Sequence, residues 1–285
     1  VTRWLVTGAS GMLATELLRR LSADGEDVVA LGRAGLDLRD THAVHRLVPD
    51  LRPDVVVNCA AWTAVDDAET REAEALAVNG HGVRALAEAC RTAGARLVQP
   101  STDYVFDGSA HAPYPEDAPT GPVNAYGRTK LAGERAVLET LPDSGYVVRT
   151  AWLYGGAGRN FVRAILAAER ARPVVDVVAD QFGQPTWAGD LAAGIAALGR
   201  SDAPPGVYHA TGSGATSWYG FAREIFELAG ADPARVNPVT AGEFPRPARR
   251  PAYGVLGHDR WRRAGLPPLR HWRKALRESD VLVRG

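Results

Sequence analysis

The 285-residue chain is predicted to be an α/β protein: a doubly wound parallel sheet followed by a smaller, loop-rich C-terminal part. Three observations predict this. Short β-branched runs alternate with amphipathic helical stretches through the first half. The first run leads through a glycine-bearing turn directly into a helix. Past residue 155 the alternation gives way to Gly, Pro and turn residues. Strands and helices alternating at these lengths form a parallel sheet covered on both faces.

The elements follow in order. Arg3–Thr7 reads as the first strand, with a helix after Gly11 to about Ala23. Asp27–Leu31 is the second strand, and a helix runs near Asp40–Val48. Val55–Val57 forms the core of a third strand, and a long helical stretch covers about Glu69–Ala93. Ala95–Pro100 is the fourth strand, Asn124–Thr140 a helix and Tyr146–Ala151 the fifth strand. Later helices are expected near 161–171, 188–198 and 217–229, and a strand near 207–210. Residues 1–155 then form one domain, with returns to it near 187–211. Residues 156–186 and 212–285 form the second, where prolines cluster between Pro233 and Pro251.

Composition excludes several classes. A hydrophobic fraction of 46% excludes a disordered chain, and two cysteines, Cys59 and Cys90, do not make a disulfide framework. A reducing, cytoplasmic setting is expected. No apolar run is long enough for a membrane span, and no signal segment fits ahead of the first strand. The 33 basic and 33 acidic residues balance, which argues against a nucleic-acid partner. The balance is uneven, however. From Arg246 onward there are eleven Lys and Arg against three acids, giving +8. That excess is either a solvated face or a site for a phosphorylated ligand. Of the 33 basic residues only Lys130 and Lys274 are lysines, so a lysine at a chemically suggestive position calls for an explanation.

Gly8-Ala9-Ser10-Gly11-Met12-Leu13 joins the first strand to the first helix. Small residues there admit a pyrophosphate to the backbone, and the helix N-terminus offers free amides and a favourable dipole. Tight strand-to-helix turns also need glycine for steric reasons alone, so the flanking strand and helix carry the argument for a Rossmann-type dinucleotide site. The second strand ends in Ala30-Leu31-Gly32-Arg33 without an acid, and Arg33 suits a 2′-phosphate. Asp37 and Leu38 would flank the adenine.

Tyr126 and Lys130 stand four apart on one helix face. A phenol is a poor acid at neutral pH unless its pKa falls. An ammonium beside it, with an oxidised nicotinamide, would favour the phenolate, and the pair could then serve a carbonyl oxygen as hydride reaches its carbon. Ser101-Thr102-Asp103 ends the fourth strand, where open α/β sheets place ligands. A hydroxyl there could bond the same oxygen, although Ser, Thr and Asp also favour strand-end turns for local reasons.

Together these residues resemble the extended short-chain dehydrogenase/reductases, and within them the dTDP-4-dehydrorhamnose reductases. The resemblance runs over nearly the whole chain. It rests on Gly8-x-x-Gly11, Arg52-Pro53-Asp54-Val55-Val56-Val57-Asn58, Thr63-Ala64-Val65-Asp66, Ser101-Thr102-Asp103-Tyr104-Val105-Phe106-Asp107-Gly108 and Asn124-x-Tyr126-Gly127-x-Thr129-Lys130. It continues in Arg149-Thr150-x-Trp152-Leu153-Tyr154, Asn160-Phe161, Asp180-Gln181-x-Gly183-x-Pro185-Thr186 and Arg250-Pro251.

The resemblance implies a catalytic trio of Thr102, Tyr126 and Lys130, reducing the C4 ketone of a dTDP-linked keto-deoxysugar with NADPH, or less readily NADH. Ala60, Ala61 and Thr63 would join Gly8, Ser10, Gly11, Met12, Leu13, Arg33, Asp37 and Leu38 around the cofactor, with Tyr126 and Lys130. Val65, Thr102, Asp103, Tyr104 and Trp152 would border the sugar, and Asn160 and Arg250 would lie near the diphosphate. A homodimer is compatible with it, and no metal is expected. Ala14 replaces a frequent third glycine, and Trp62 stands where relatives often carry His or Tyr.

His42 and His45 read as surface residues rather than a zinc site, because no Cys lies near them. Cys59 and Cys90 read as packing residues. Trp218, Trp261 and Trp272 are assigned to the core of the second domain, and Trp187 to either setting. A non-catalytic dinucleotide-binding subunit and a nucleotide-sugar epimerase are the competing readings. The first has no need of all three trio residues. The second would retain its nicotinamide through turnover.

Overall fold

The computed structural model describes residues 1–281. In chain order the strands are β1 Arg3–Thr7, β2 Asp27–Leu31, β3 Val55–Asn58, β4 Arg96–Thr102, β5 Gly145–Thr150, β6 Leu153–Tyr154, β7 Val175–Val178, β8 Phe182–Gly183, β9 Thr186–Trp187, β10 Gly206–His209, β11 Thr216–Ser217 and β12 Val236–Val239. The helices are α1 Met12–Ala23, α2 Thr41–Leu51, α3 Val65–Ala68, α4 Glu72–Leu76, α5 Gly82–Ala93, α6 Ala125–Thr140, α7 Phe161–Ala171, α8 Ala188–Arg200, α9 Trp218–Leu228, α10 Asp259–Arg263 and α11 Trp272–Glu278.

Six strands form one sheet in the order β2-β1-β3-β4-β5-β10, and every pairing in it is parallel. The order reverses between β1 and β3, and a crevice opens there beyond the strand C-termini. Val55, Val56 and Val57 are buried because helices cover both faces. One face packs Trp4, Val6 and Val57 against Leu17 of α1 and Ile195 of α8. The other packs Leu5, Val56 and Leu97 against Val44 of α2, Leu86 of α5 and Val137 of α6. A third cluster joins Val162 of α7, Phe221 of α9, Val236 of β12 and Trp272 of α11.

Three expected elements differ. Helix α2 continues past Pro49 to Leu51, because Leu47, Val48 and Leu51 keep the last turn on the core. The stretch expected as one helix over 69–93 is α4 and α5 joined by a π turn at Ala77–His81. That turn carries the buried Asn79, whose amide bonds outside the helix. Strand β4 runs two residues past Pro100, because Ser101 and Thr102 pair in register with Arg149 and Thr150 of β5. Trp261 is not in the third cluster. It is buried with Trp4 and Tyr208 on the main sheet, since α10 packs on β10. No helix among the described residues is long and apolar enough to cross a membrane.

Candidate active site

A cleft of about 270 Å³ opens at the reversal point, floored by Gly8, Ser10 and Gly11. Gly8 has φ +63, and a Cβ there would lie 2.5 Å from the Ala60 nitrogen. The turn closes through Gly11 N–H donating to Gly8 O at 2.9 Å. No side chain caps α1, so the amides of Met12 and Leu13 lie at an uncapped helix N-terminus. Their side chains serve packing: Leu13 enters the sheet core and Met12 abuts Gly155. Ala60 and Ala61 line the opposite wall.

Thr63 does not line this cleft. It is exposed, and Trp62 takes its place. Asn79 fixes the loop by accepting from Trp62 N–H at 2.9 Å and donating to Trp62 O at 3.0 Å. The indole donates to Ala64 O, and Arg71 lies over its ring. Arg33 and Asp37 do line the cleft, with Leu38 beside them. Asp37 binds Arg33 at 3.4 Å and Arg39 at 2.5 Å, and the Arg39 hydrogen bonds hold its carboxyl far below the usual range. Arg39 escaped sequence reading, although its i+2 spacing from Asp37 was visible.

The reactive cluster sits where β4 meets α6. Asn124 caps α6 by accepting from Gly127 N–H at 2.8 Å, which fixes the turn carrying Tyr126. Lys130 is buried and donates to Pro100 O at 2.8 Å. Burial lowers its pKa to about 8, while Glu134 opposes the shift. Tyr126 departs from the sequence expectation. Burial, with Asp103 adding, pushes its phenol above the ordinary tyrosine range, and Lys130 is not among the groups moving it. The ammonium points instead to the Pro100 carbonyl within β4. Thr102 favours the phenolate by hydrogen bonding, but burial dominates.

Beneath this cluster lies a polar knot that sequence reading also missed. Glu134 accepts from Ser101 Oγ at 2.5 Å and pairs with Arg149 at 2.7 Å, both charges being buried. It lies one helical turn beyond Lys130, a spacing legible in the sequence. Cys59 borders the cleft, and Cys90 is packed in the core. Burial pushes both thiols up to about 12, so neither is a ready nucleophile.

The residues expected to border the sugar are less uniform. Tyr104 meets Tyr126 edge to face with centroids 5.9 Å apart. Val65 opens α3 at the neighbouring loop. Trp152 has the left-handed φ of 47, a conformation costly for a bulky residue and concentrated at functional sites. Its ring stacks on Trp218 with centroids 3.4 Å apart. Trp218 is thus half of an aromatic wall, and only Trp272 of the three assigned tryptophans is buried in the third cluster.

Two expected diphosphate contacts are engaged locally. Asn160 caps α7 by accepting from Arg163 N–H at 3.1 Å, and its amide donates to Gly155 O at 2.9 Å. Each end of that amide makes one bond, which fixes the residue at the helix start. Arg250 pairs with Asp66, whose carboxylate also accepts from Ala248 N–H. The guanidinium still borders Tyr104 and a cavity of about 520 Å³, which Arg246 and Arg249 also line.

A dinucleotide-type cleft at the reversal of a parallel sheet, beside Thr102, Tyr126 and Lys130 at the strand ends, defines an oxidoreductase of the extended short-chain dehydrogenase/reductase class. The RmlD substrate binding domain model matches residues 2–281, and the chain belongs to that family. A dTDP-4-dehydrorhamnose reductase of Streptomyces griseus is 60% identical, the match covering 99% of this chain and 94% of the relative. The dTDP-4-keto-6-deoxy-D-glucose reductase of Streptomyces niveus is 54% identical, over 99% and 97%. Among solved structures, the dTDP-4-dehydrorhamnose reductase of Bacillus anthracis in complex with NADP superposes with TM-score 0.94 at 36% identity, covering 98% of this chain and 99% of that one.

Proposed function

We propose that the chain reduces the C4 ketone of a dTDP-4-keto-6-deoxy-L-hexose, with NADPH as donor and NADH as a weaker one. The observation carrying this reading is the meeting of Thr102, Tyr126 and Lys130 beside the glycine-floored cleft. Relatives named as reductases of dTDP-linked keto-sugars support the substrate class.

The cleft fits a dinucleotide. The close backbone approach at Gly8 and the uncapped start of α1 suit a pyrophosphate, and Arg33 and Arg39 suit a 2′-phosphate. When bound, the reduced nicotinamide supplies a hydride to the carbonyl carbon. The chain's residues govern the oxygen. Tyr126 keeps its proton in the resting site because burial raises its pKa, so it is a competent donor to a developing alkoxide. Thr102 bonds the same oxygen and orients the ketone. Lys130 has three N–H donors. One is fixed on Pro100 O, which leaves two for cofactor ribose hydroxyls.

Tyr104 and the Trp152–Trp218 wall would contact the hexose. The arginine-lined cavity beside Arg250 would take the diphosphate, giving the basic C-terminal segment a role. The test is turnover by the purified chain alone: NADPH consumption with a dTDP-4-keto-6-deoxy-L-hexose supports the reading. Dinucleotide binding without turnover of any nucleotide keto-sugar would instead favour a regulatory subunit.

A further inference from the structure

We propose that Asp103, in its protonated form, sets the direction of the Thr102 hydroxyl and so acts as a positioning residue for the proton transfer at Tyr126. That role rests on the reductase reading above. A threonine hydroxyl has one proton to donate and two lone pairs to accept with. Thr102 Oγ1 accepts from Tyr104 N–H at 3.2 Å, so one lone pair is taken. Asp103 Oδ1 lies 3.1 Å from the same oxygen, and Tyr126 is within hydrogen-bonding reach of Thr102.

Two arrangements satisfy this geometry. With Asp103 ionised, its carboxylate can only accept, so the Thr102 proton turns toward Asp103 and away from Tyr126. With Asp103 protonated, its O–H donates to the second lone pair of Thr102. The Thr102 proton is then free to point at a carbonyl oxygen beside Tyr126, and to turn to the Tyr126 oxygen once the phenol has given up its own proton. Only the second state presents two donors to the reacting oxygen. The same chain can restore the phenol. As Tyr126 gives its proton to the alkoxide, the Thr102 O–H proton passes to the Tyr126 oxygen and the Asp103 proton passes to Thr102. One O–H bond breaks for each that forms, and Asp103 is left ionised until solvent returns its proton.

The surroundings favour the protonated state. Asp103 is 3% exposed, and no cation in the described structure pairs with it. Gly254 packs against it so closely that a Cβ there would fall 2.5 Å from Oδ2. The charged and titratable groups facing it are Tyr104 on its own turn, Tyr126 on α6 and, beyond Tyr104, Arg250 of the C-terminal segment, which Asp66 neutralises. Lys130 is turned to Pro100. Burial raises the Asp103 carboxyl to about 7, with the Thr102 hydroxyl and the backbone amides of Asp103 and Tyr104 opposing.

The test is the pH dependence of kcat for the full chain with NADPH and a dTDP-4-keto-6-deoxy-L-hexose, in wild type, Asp103→Asn, Thr102→Val and the double variant. Retained NADPH binding serves as the folding check. Wild-type kcat should fall about tenfold per pH unit above a break near neutrality. Asp103→Asn should lose that limb, because the amide has no proton to release, and should lower kcat about tenfold at pH 6. In the Thr102→Val background it should have no further effect, since the residue it positions is gone. An unchanged alkaline limb in Asp103→Asn, or additive effects in the double variant, would overturn the proposal.

Difference infrared spectroscopy gives a readout that needs neither turnover nor an Asp103 variant. The protonated-carboxyl band should vanish as wild type is taken from pH 6 to pH 9, and Thr102→Val should shift it. A band unmoved by Thr102→Val also overturns the proposal. Absence of wild-type turnover would instead count against the reductase reading, with the infrared titration still deciding the hydrogen-bond direction.

Discussion

Replacing Glu134 with Gln perturbs the buried ion pair beneath the site. The Glu134 carboxylate accepts from Ser101 at 2.5 Å and from Arg149 at 3.0 and 2.7 Å, with the pair 2% and 5% exposed. Glutamine removes the charge and turns an N–H₂ toward either the guanidinium or the Ser101 hydroxyl, leaving Arg149 buried without a counter-ion. Breaking one side of a buried pair costs about 3–5 kcal/mol. For a chain of this size that corresponds to a fall in Tm of roughly 6–20 °C. The assay is thermal unfolding by circular dichroism at pH 7. Adding Arg149→Met should recover part of the loss, since removing both charges leaves no stranded ion. A fall below about 2 °C would refute the reasoning, because it would place the uncompensated guanidinium in contact with water.

Tyr126→Phe should cut kcat by about 10²–10⁴ while NADPH binding, followed by its fluorescence, stays near wild type. Arg39→Ala should raise KM for NADPH on the order of tenfold and leave KM for NADH nearly unchanged, as expected for a charge-assisted contact to a 2′-phosphate. Gly183→Ala would set a Cβ 2.5 Å from the Trp152 indole, so it should raise KM for the sugar and alter near-UV circular dichroism with the NADPH constants unchanged. Asp103→Asn should stabilise the fold at pH 8 and change little at pH 4. Burial raises the folded-state pKa to about 7, so the wild-type contribution is present below the unfolded carboxylate pKa and is lost as pH rises through 7. Equal unfolding midpoints for the two proteins at pH 8 would contradict that.

Sequence reading located the sheet because parallel strands buried on both faces leave uninterrupted runs, as at Val55–Val57. It located Tyr126 and Lys130 because i,i+4 spacing on a capped helix is local information, and Gly8 because β1 and α1 flank it. It missed what depends on nonlocal contact. Trp62 lines the cleft on a loop that Asn79, seventeen residues on, holds in place. Trp218 reaches Trp152 from the start of α9, and Trp261 reaches the main sheet through β10. The phenol's pKa was also beyond sequence reading. The spacing puts Lys130 near Tyr126, but the Pro100 carbonyl within β4 decides where the ammonium points. Asn160 was recognisable as a helix cap by its position before an apolar run, and its amide bonds show that role.

The most direct test of the central claim is absorbance at the NADPH band with the purified chain and a dTDP-4-keto-6-deoxy-L-hexose generated in situ, beside an NADH control. The account predicts steady loss of signal that depends on the sugar, faster with NADPH, and abolished in Tyr126→Phe. Loss of signal that persists at wild-type rate in Tyr126→Phe, or none with any dTDP-linked keto-sugar despite demonstrated NADPH binding, would contradict it.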